Sequence, residues 1–289
     1  MRVACVGEAM VELNIDAPER QIGYAGDTFN TAAYLSRALA GAGEVEFVTV
    51  LGKDAISDRM EAFFQSQGVG TARIRCHPDR LPGIYAIAVD EAGERSFTYW
   101  RDQSAARTLF EDGFDVLEGM DLIYLSGITL AILPPDRRAA LLAHLAAHPA
   151  RVAFDSNYRP RLWESPEVAR KTIEAAWNVA DIALPSLDDE QALFGDADAE
   201  AVLARLRSYG LAEGALKQGD AGPLAIAEDV PAQKFPRADR VVDTTAAGDS
   251  FNGGFLAAIL HEQSTEQAMA EGHALAMRVI GQPGAIIPR

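Results

Sequence analysis

The segment Asp243-Thr-Thr-Ala-Ala-Gly-Asp-Ser-Phe-Asn-Gly-Gly-Phe255 says most about the fold and chemistry of this chain. It places the acidic residue Asp249 directly after three small residues, Ala246, Ala247 and Gly248, and before an apolar stretch with helical spacing. Small residues let a ligand approach the backbone closely, and a helix start presents unpaired N–H groups at the positive end of its dipole. The pattern predicts an anion hole that suits a phosphoryl group, with Asp249 placed to accept a hydroxyl proton. The alternative is an ordinary helix with an acidic first turn.

Apolar runs typical of strands alternate with helical patterns over most of the chain. The strand-like runs are residues 3–6, 45–51, 122–125, 152–154, 182–184 and 215–217. The helical patterns are residues 28–40, 54–67, 136–147, 166–180, 199–209, 248–260 and 265–280. This alternation predicts βαβ units, and hence an α/β fold with a mostly parallel central sheet flanked by helices.

Residues 83–101 interrupt this alternation, because they contain two strand patterns joined by a turn with a glycine. Such a hairpin is antiparallel and does not fit a βαβ series. Together with a short strand at residues 11–15, it predicts a small β-sheet that projects as a lid. We expect the whole chain, residues 1–289, to form one domain that carries this lid.

Composition limits the classes of function. The 289 residues are 48% hydrophobic and carry a net charge of −16, which disfavours nucleic acid and anionic membranes as partners. An acidic ligand must therefore meet local Arg or Lys residues and helix N-termini. No run of 18 apolar residues occurs, the N-terminus lacks a signal-peptide pattern, and two cysteines make no disulfide framework. A cytoplasmic location is the resulting expectation.

A polar cluster precedes the first helical pattern. In Gly23-Tyr-Ala-Gly-Asp-Thr-Phe-Asn30, the glycine at 26 permits close backbone approach, while Asp27 and Asn30 suit a clamp for sugar hydroxyls. The alternative is a helix capped by Asp27 or Thr28. Gly26, Asp27 and Asn30 are therefore candidate substrate-binding residues.

The predicted lid offers Tyr85, Tyr99 and Arg101. Cross-strand packing is the alternative for the two tyrosines, which fall on facing strands. A guanidinium at the end of an aromatic strand suits a carboxylate, although a solvated strand end explains Arg101 equally well.

Two further groups follow predicted strands, at the carboxyl ends where parallel sheets bind ligands. Asn157 and Arg159 come after the strand at 152–154. Lys217, placed to reach a phosphate, leads into a turn with Gly219 and Gly222. Two glycines at such a junction are common by themselves.

The metal signals are weaker. Pro185-Ser-Leu-Asp-Asp-Glu190 leaves Asp189 and Glu190 as alternative metal ligands, and a capping box explains the string as well. His144 and His148 are four residues apart, but Leu145 stands where a zinc protease needs Glu, so we expect solvated helix residues. No P-loop motif is present, and no G-x-G-x-x-G opens the first helix.

These strings together resemble the ribokinase-like (PfkB) carbohydrate kinases. The match covers D-T-x-G-A-G-D at 243–249, G-G-x-x-x-N at 25–30, K-x-G-x-x-G at 217–222 and the position of N-x-x-E near 186. Ala246, Ala25 and Ser186 depart from the usual residues. The resemblance implies a three-layer α/β/α sandwich with a β-sheet lid, and transfer of a phosphoryl group from ATP with Mg²⁺.

Within that family, Thr98-Tyr-Trp-Arg101 and Asn157-Tyr-Arg-Pro-Arg-Leu-Trp163 are similar to members that phosphorylate the C6 hydroxyl of 2-keto-3-deoxygluconate, a sugar acid. By this resemblance the residues that bind the sugar acid are Gly26, Asp27, Asn30, Tyr85, Tyr99, Arg101 and Arg159. Those that face ATP are Asn157, Arg159, Lys217, Gly219, Gly222, Ala247 and Gly248. Asp249 is the general base, and the N–H groups of 246–249 form the anion hole.

Other readings stay open. The acceptor can be another sugar, such as fructose or 2-keto-3-deoxygalactonate. A catalytically silent sugar-binding protein on the same fold is disfavoured because Asp249 and Gly248 are both present. A dinucleotide-binding oxidoreductase is weaker still. Because lid edges tend to pair, we expect a homo-oligomer, with a dimer formed through the lids.

Overall fold

The computed structural model describes residues 1–15, 21–89 and 95–289. The predicted turn of the hairpin falls at residues 90–94, outside the described residues. In the described part of the chain the strands are β1 (Arg2–Val6), β2 (Met10–Asn14), β3 (Gln21–Ala25), β4 (Glu44–Val48), β5 (Val50–Leu51), β6 (Arg75–Cys76), β7 (Ile84–Val89), β8 (Arg95–Trp100), β9 (Leu122–Ser126), β10 (Arg151–Asp155), β11 (Ile182–Ala183), β12 (Glu213–Leu216) and β13 (Leu224–Ala225).

The α-helices of the same residues separate most of these strands. They are α1 (Asp27–Leu39), α2 (Ala55–Ser66), α3 (Gly127–Ile132), α4 (Pro135–Ala147), α5 (Pro166–Trp177), α6 (Leu187–Phe194), α7 (Ala199–Ser208), α8 (Ala247–Leu260) and α9 (Thr265–Ile280). No helix within the described ranges is both long and apolar enough to cross a membrane.

A large sheet of seven strands organises the fold, in the order β13-β12-β11-β10-β9-β1-β4. Neighbouring strands are parallel except β13, which is antiparallel to β12. In β1, Val3 and Cys5 join a core that includes residues of α1 and α8, whereas Ala4 and Val6 join a core that includes residues of α4 and α5. Successive side chains of a strand point to opposite faces, so helices cover both faces of this sheet.

A second sheet of four strands, here called the small sheet, has the order β3-β2-β7-β8. Strands β7 and β8 are antiparallel and place Tyr85 opposite Tyr99. Ile22, Phe97 and Trp100 are exposed on this sheet. Strands β7 and β8 correspond to the two strand patterns predicted within residues 83–101, and β2 to the strand predicted at 11–15.

The predicted α/β class, with a mostly parallel sheet between helices and a separate small sheet, is confirmed. The predicted strand at 45–51 is wrong as one element, because β5 leaves the large sheet and pairs with β6. Residues 23–25, which precede the first helical pattern, belong to β3, a strand that the sequence does not predict. The sequence does not predict α3 and α6, since helices of six and eight residues are too short to show a clear helical period.

Candidate active site

A cavity of about 710 Å³ lies where the carboxyl ends of the large sheet's strands meet the small sheet and the start of α8. The predicted residues that line it are Gly26, Asp27, Asn30, Tyr85, Tyr99, Asn157, Arg159, Asp189, Lys217, Gly219, Gly222, Ala246, Ala247, Gly248 and Asp249. These residues are distant in sequence, and the parallel topology brings them to one edge, as expected for this class of sheet. Arg101 and Glu190 are not among the lining residues.

Helix α8 begins beside this cavity as the sequence predicts. Its N-cap is Ala246, which adopts a left-handed conformation with φ of 60°, and Ala247 N–H donates to the Thr244 carbonyl at 3.2 Å. The N–H groups of Gly248 and Asp249 belong to the first turn, which offers them no acceptor within the helix. The predicted set of anion-binding amides is thus too broad, because the Ala247 amide is already engaged.

The glycine at 248 has open space on its cavity side. A Cβ atom added there would meet only Lys217 Nζ and Cε, at 3.6 and 4.0 Å. The protein itself therefore does not require glycine at this position, and the empty volume is available to a ligand. The ammonium group of Lys217 lies next to the same helix start and adds positive charge to it.

The glycine at 26 lines the cavity as predicted and also has a structural role. A Cβ atom there would lie 2.1 Å from the Glu8 carbonyl oxygen, inside the backbone of the neighbouring segment. Gly26 allows two protein segments to cross closely, in addition to lining the cavity. It is also the N-cap of α1 and has no side-chain cap, so the predicted capping by Asp27 or Thr28 is wrong.

The carboxyl group of Asp249 is held by the side chain of Asn30. Its Oδ2 accepts a hydrogen bond from Asn30 Nδ2 at 2.8 Å. Desolvation by the surrounding protein raises the pKa of Asp249 to about 7, and the negative charge of Asp27 contributes in the same direction, whereas the Asn30 hydrogen bond opposes it. A carboxyl group with this pKa exchanges a proton readily near neutral pH.

Asp27 makes fixed contacts across the cavity wall. Its Oδ2 accepts hydrogen bonds from Ser126 Oγ at 2.5 Å and from Asn157 Nδ2 at 2.8 Å. Asn157 has a left-handed backbone with φ of 30° and its N–H donates to Asp155 Oδ1 at 3.1 Å. The loop after β10 is thereby tied to the start of α1.

Sequence reasoning missed a buried network behind Lys217. Lys217 Nζ donates to Asp155 Oδ2 at 2.6 Å and to Asn252 Oδ1 at 3.0 Å. Asn252 Nδ2 in turn donates to Asp155 at 2.6 Å and to the Tyr124 hydroxyl at 3.0 Å. The sequence offered one indication that Asn252 lies near the site. It is three residues after Asp249, and residues three apart lie on the same face of a helix.

The two tyrosines of the small sheet pack across strands and also line the cavity. Their ring centroids are 5.9 Å apart. Tyr85 is buried and donates its hydroxyl hydrogen to the Glu12 carboxylate, while Tyr99 is half exposed. Burial and the Glu12 charge raise the pKa of Tyr85, which keeps it a hydrogen-bond donor. Glu12 was also missed, since it falls in a strand pattern with no motif.

The two candidate arginines occupy different settings. Arg101 is buried, and its guanidinium pairs with the buried carboxylate of Glu8. Arg159 lines the cavity, and half of its side chain is exposed. Its Nη1 lies 3.3 Å from Asp189 Oδ1. Of the two, Arg159 is directly accessible to a ligand in this structure.

The two candidate metal ligands also separate. Asp189 lines the cavity and accepts a hydrogen bond from Ser186 Oγ at 2.7 Å; burial raises its pKa. Glu190 is fully buried and pairs with Arg205 at 2.7 Å. Ser186 caps no backbone N–H of α6, so the predicted alternative of a capping box is wrong.

Comparisons with known proteins point to one family. A family profile described as "pfkB family carbohydrate kinase" matches residues 1–289. A 2-dehydro-3-deoxygluconokinase of Dickeya dadantii (strain 3937) is 44% identical, covering 99% of this chain and 96% of the relative. A protein of the same name in Escherichia coli (strain K12) is 42% identical, covering 100% and 97%.

A solved structure shows the same fold. The crystal structure of 2-dehydro-3-deoxygluconokinase from Thermotoga maritima superposes with a TM-score of 0.86, covering 99% of this chain and 94% of the other, at 21% identity. The match extends over both sheets, because it covers nearly the whole chain.

Proposed function

The chain belongs to the pfkB family of carbohydrate kinases, and on that premise we propose that it transfers the γ-phosphoryl group of ATP to the C6 hydroxyl of 2-keto-3-deoxygluconate. The product is 2-keto-3-deoxy-6-phosphogluconate. The observation that carries the proposal is the carboxyl group of Asp249, whose pKa is about 7, beside the open first turn of α8.

In this proposal the nucleotide lies along the wall formed by Lys217, Gly219, Gly222 and the start of α8. The chain carries a net charge of −16, so binding of ATP depends on local attraction. Lys217 and the amides of the α8 first turn supply it, since a helix N-terminus favours phosphate. Asp155 and Asn252 hold the Lys217 ammonium at this point.

The sugar acid lies between the small sheet and α1. Asp27 and Asn30 face its hydroxyls, and Tyr85 and Tyr99 form the wall on the side of the small sheet. Arg159 supplies the cation for its carboxylate and adjoins the phosphates. Arg101 contributes a second cation only when its guanidinium leaves the Glu8 carboxylate.

The chemical step is an in-line displacement. Asp249 accepts the C6 hydroxyl proton while the C6 oxygen forms a bond to the γ-phosphorus. The bond from that phosphorus to the bridging oxygen breaks, and its electron pair leaves with ADP. The N–H groups of Gly248 and Asp249 stabilise the negative charge on the transferring group.

The cavity is lined by carboxylate oxygens, which are the ligands that Mg²⁺ prefers in proteins. Asp188 and Asp189 face the cavity beside Arg159, and Asp155 adjoins Lys217. When bound, Mg²⁺ neutralises part of the phosphate charge. Glu190 has no part in this proposal, because it is buried and paired with Arg205.

We assign the small sheet the role of a lid that excludes water from the cavity, within a single domain of residues 1–289. Its exposed Ile22 and Trp100 make pairing of two lids in a dimer part of the same proposal. A cytoplasmic location completes it, because the reaction consumes ATP.

A substrate panel tests the proposed acceptor. Coupled ADP release would be measured with 2-keto-3-deoxygluconate, 2-keto-3-deoxygalactonate, gluconate and fructose. We expect the highest kcat/KM with 2-keto-3-deoxygluconate. A higher value with fructose would contradict the sugar-acid assignment while leaving the kinase assignment intact.

A further inference from the structure

Two histidines and a glutamate meet away from the cavity, where α4 ends. Glu118, His144 and His148 each bring a potential ligand atom within 4.8 Å of the other two. His144 lies in the last turn of α4 and His148 directly follows the helix, so their spacing places both rings on one side. Glu118 follows the short 3₁₀ turn Asp115–Leu117, just before β9.

The two imidazoles are less solvated than the sequence predicts. Nε2 of His144 and Nε2 of His148 are both buried and, among the described residues, have no hydrogen-bond partner. Buried polar atoms in folded proteins almost always have one. The two imidazole rings lie with their centroids 5.3 Å apart, so they and the nearby exposed carboxylate of Glu118 form a set of donors that one ion can share.

The protein fixes the His144 ring and the Glu118 backbone from outside. The His144 ring stacks on Phe114 with centroids 4.7 Å apart and an angle of 18° between the planes. Arg73 donates to the backbone carbonyl of Glu118 at 3.1 Å, which holds the Glu118 backbone without using its carboxylate. The cluster is therefore supported by residues that are not part of it.

We propose that Glu118, His144 and His148 form a binding site for a transition metal of the Zn²⁺ type. Two imidazoles and a carboxylate match the three-protein-ligand sets of zinc sites, in which a fourth position takes water. Imidazole selects such ions over Mg²⁺ and Ca²⁺, which prefer oxygen. The metal links the segment before β9 to the segment before β10, and these two strands are neighbours in the large sheet.

Binding requires one local change. His148 Nδ1 accepts a hydrogen bond from Ala150 N–H at 3.1 Å, so the neutral ring carries its proton on Nε2. Ligation through Nε2 moves the proton to Nδ1, and the ring then turns away from the Ala150 amide. Metal ligation replaces that hydrogen bond as the contact that holds the end of α4.

Calorimetric titration of the full-length protein with Zn²⁺, in excess Mg²⁺ to occupy oxygen sites, tests the proposal. The test variants are His144→Ala, His148→Gln and Glu118→Gln, and the matched control is His261→Gln, an exposed histidine at the end of α8. We expect one Zn²⁺ per chain in the wild type and control, and affinity at least about tenfold lower in the test variants. Equal affinity in all five proteins would overturn the proposal.

Two further measurements make the result independent of how the variants fold. Zn²⁺ should raise the Tm of the wild type and of His261→Gln but not that of His148→Gln, whose Tm without metal reports its own folding. Anomalous scattering from wild-type crystals soaked in Zn²⁺ should place the ion among the three side chains. An ion found only in the large cavity would contradict the site.

Discussion

At the scale of single residues, the site depends on two carboxylates that differ in setting. Asp27 is fixed by hydrogen bonds from Ser126 and Asn157. The carboxylate of Asp249 accepts a hydrogen bond from Asn30 and lies in a desolvated position close to the charge of Asp27. Environments that differ in this way assign different roles to two acids, and here Asp249 is the one suited to accept a proton near pH 7.

Replacement of Asp27 by Asn should shift the pH dependence of catalysis. The base must be ionised to act, so kcat/KM rises with pH through an apparent pKa near 7 in the wild type. Loss of the neighbouring negative charge favours ionised Asp249, so the rise moves to lower pH in Asp27→Asn. Rate profiles from pH 5 to pH 9 provide the measurement.

Asp188→Asn is the matched control for this shift. It removes the same charge from an exposed residue of the same cavity. Its profile should keep the wild-type midpoint even if the rate falls. Superimposable midpoints for wild type and Asp27→Asn would show that Asp27 does not tune the base.

The sequence predicts the identity of these residues better than their contacts. The string at 243–249 places Asp249 at a helix start, and the structure agrees. The residues of the network behind Lys217, which are Asn252, Tyr124 and Asp155, come from three separate elements, and no local pattern records that their side chains meet. Tertiary packing alone brings them together.

At the scale of elements, α8 combines a ligand-facing start with a tightly packed middle. A Cβ atom on Gly253 would lie 2.8 Å from Tyr34 Cβ and 2.9 Å from Leu35 N, both in α1. At Gly248 the corresponding space is open. The sequence shows a helix rich in small residues but does not distinguish glycines that admit a ligand from glycines that admit another helix.

The two glycines should therefore respond differently to the same substitution. Gly248→Ala should leave the free energy of unfolding unchanged, or raise it by up to about 1 kcal/mol, while turnover falls because the added methyl group occupies the phosphate space. Gly253→Ala should lower the free energy of unfolding by about 1–3 kcal/mol through overpacking. Urea unfolding and ADP release would be measured on both variants.

Each variant is the control for the other. Normal turnover in Gly248→Ala would remove the start of α8 from the phosphate site. A wild-type urea midpoint in Gly253→Ala would show that α1 and α8 are not packed as described.

At the scale of the whole molecule, a buried ion pair joins the small sheet to the large one. Glu8 follows β1 and Arg101 follows β8, and both side chains are buried. The sequence predicts both sheets, and it predicts that Arg101 binds the ligand. It does not predict the pairing of Arg101 with Glu8, because the two residues are more than ninety positions apart in the chain. Long-range ion pairs leave no periodic signal.

Arg101→Ala should destabilise the protein as well as alter binding. It leaves the Glu8 charge buried without its partner, which lowers the free energy of unfolding by about 3–5 kcal/mol. Arg159→Ala, which removes a half-exposed side chain, should change stability by less than about 0.5 kcal/mol. Denaturant unfolding of the two variants gives this comparison.

The same variants test which cation meets the substrate carboxylate. Arg159→Ala should raise KM for 2-keto-3-deoxygluconate far more than for an uncharged sugar. Equal increases for both acceptors, or unchanged stability in Arg101→Ala, would refute the respective assignments.

The central claim is that Asp249 takes the proton from the acceptor hydroxyl, and the turnover of Asp249→Asn tests it most directly. Asn keeps an oxygen that can accept the Asn30 hydrogen bond but does not act as a base. We predict a folded protein with near-normal KM for the sugar acid and a kcat lower by about 10²- to 10⁴-fold. A kcat within a few-fold of the wild type would contradict the account.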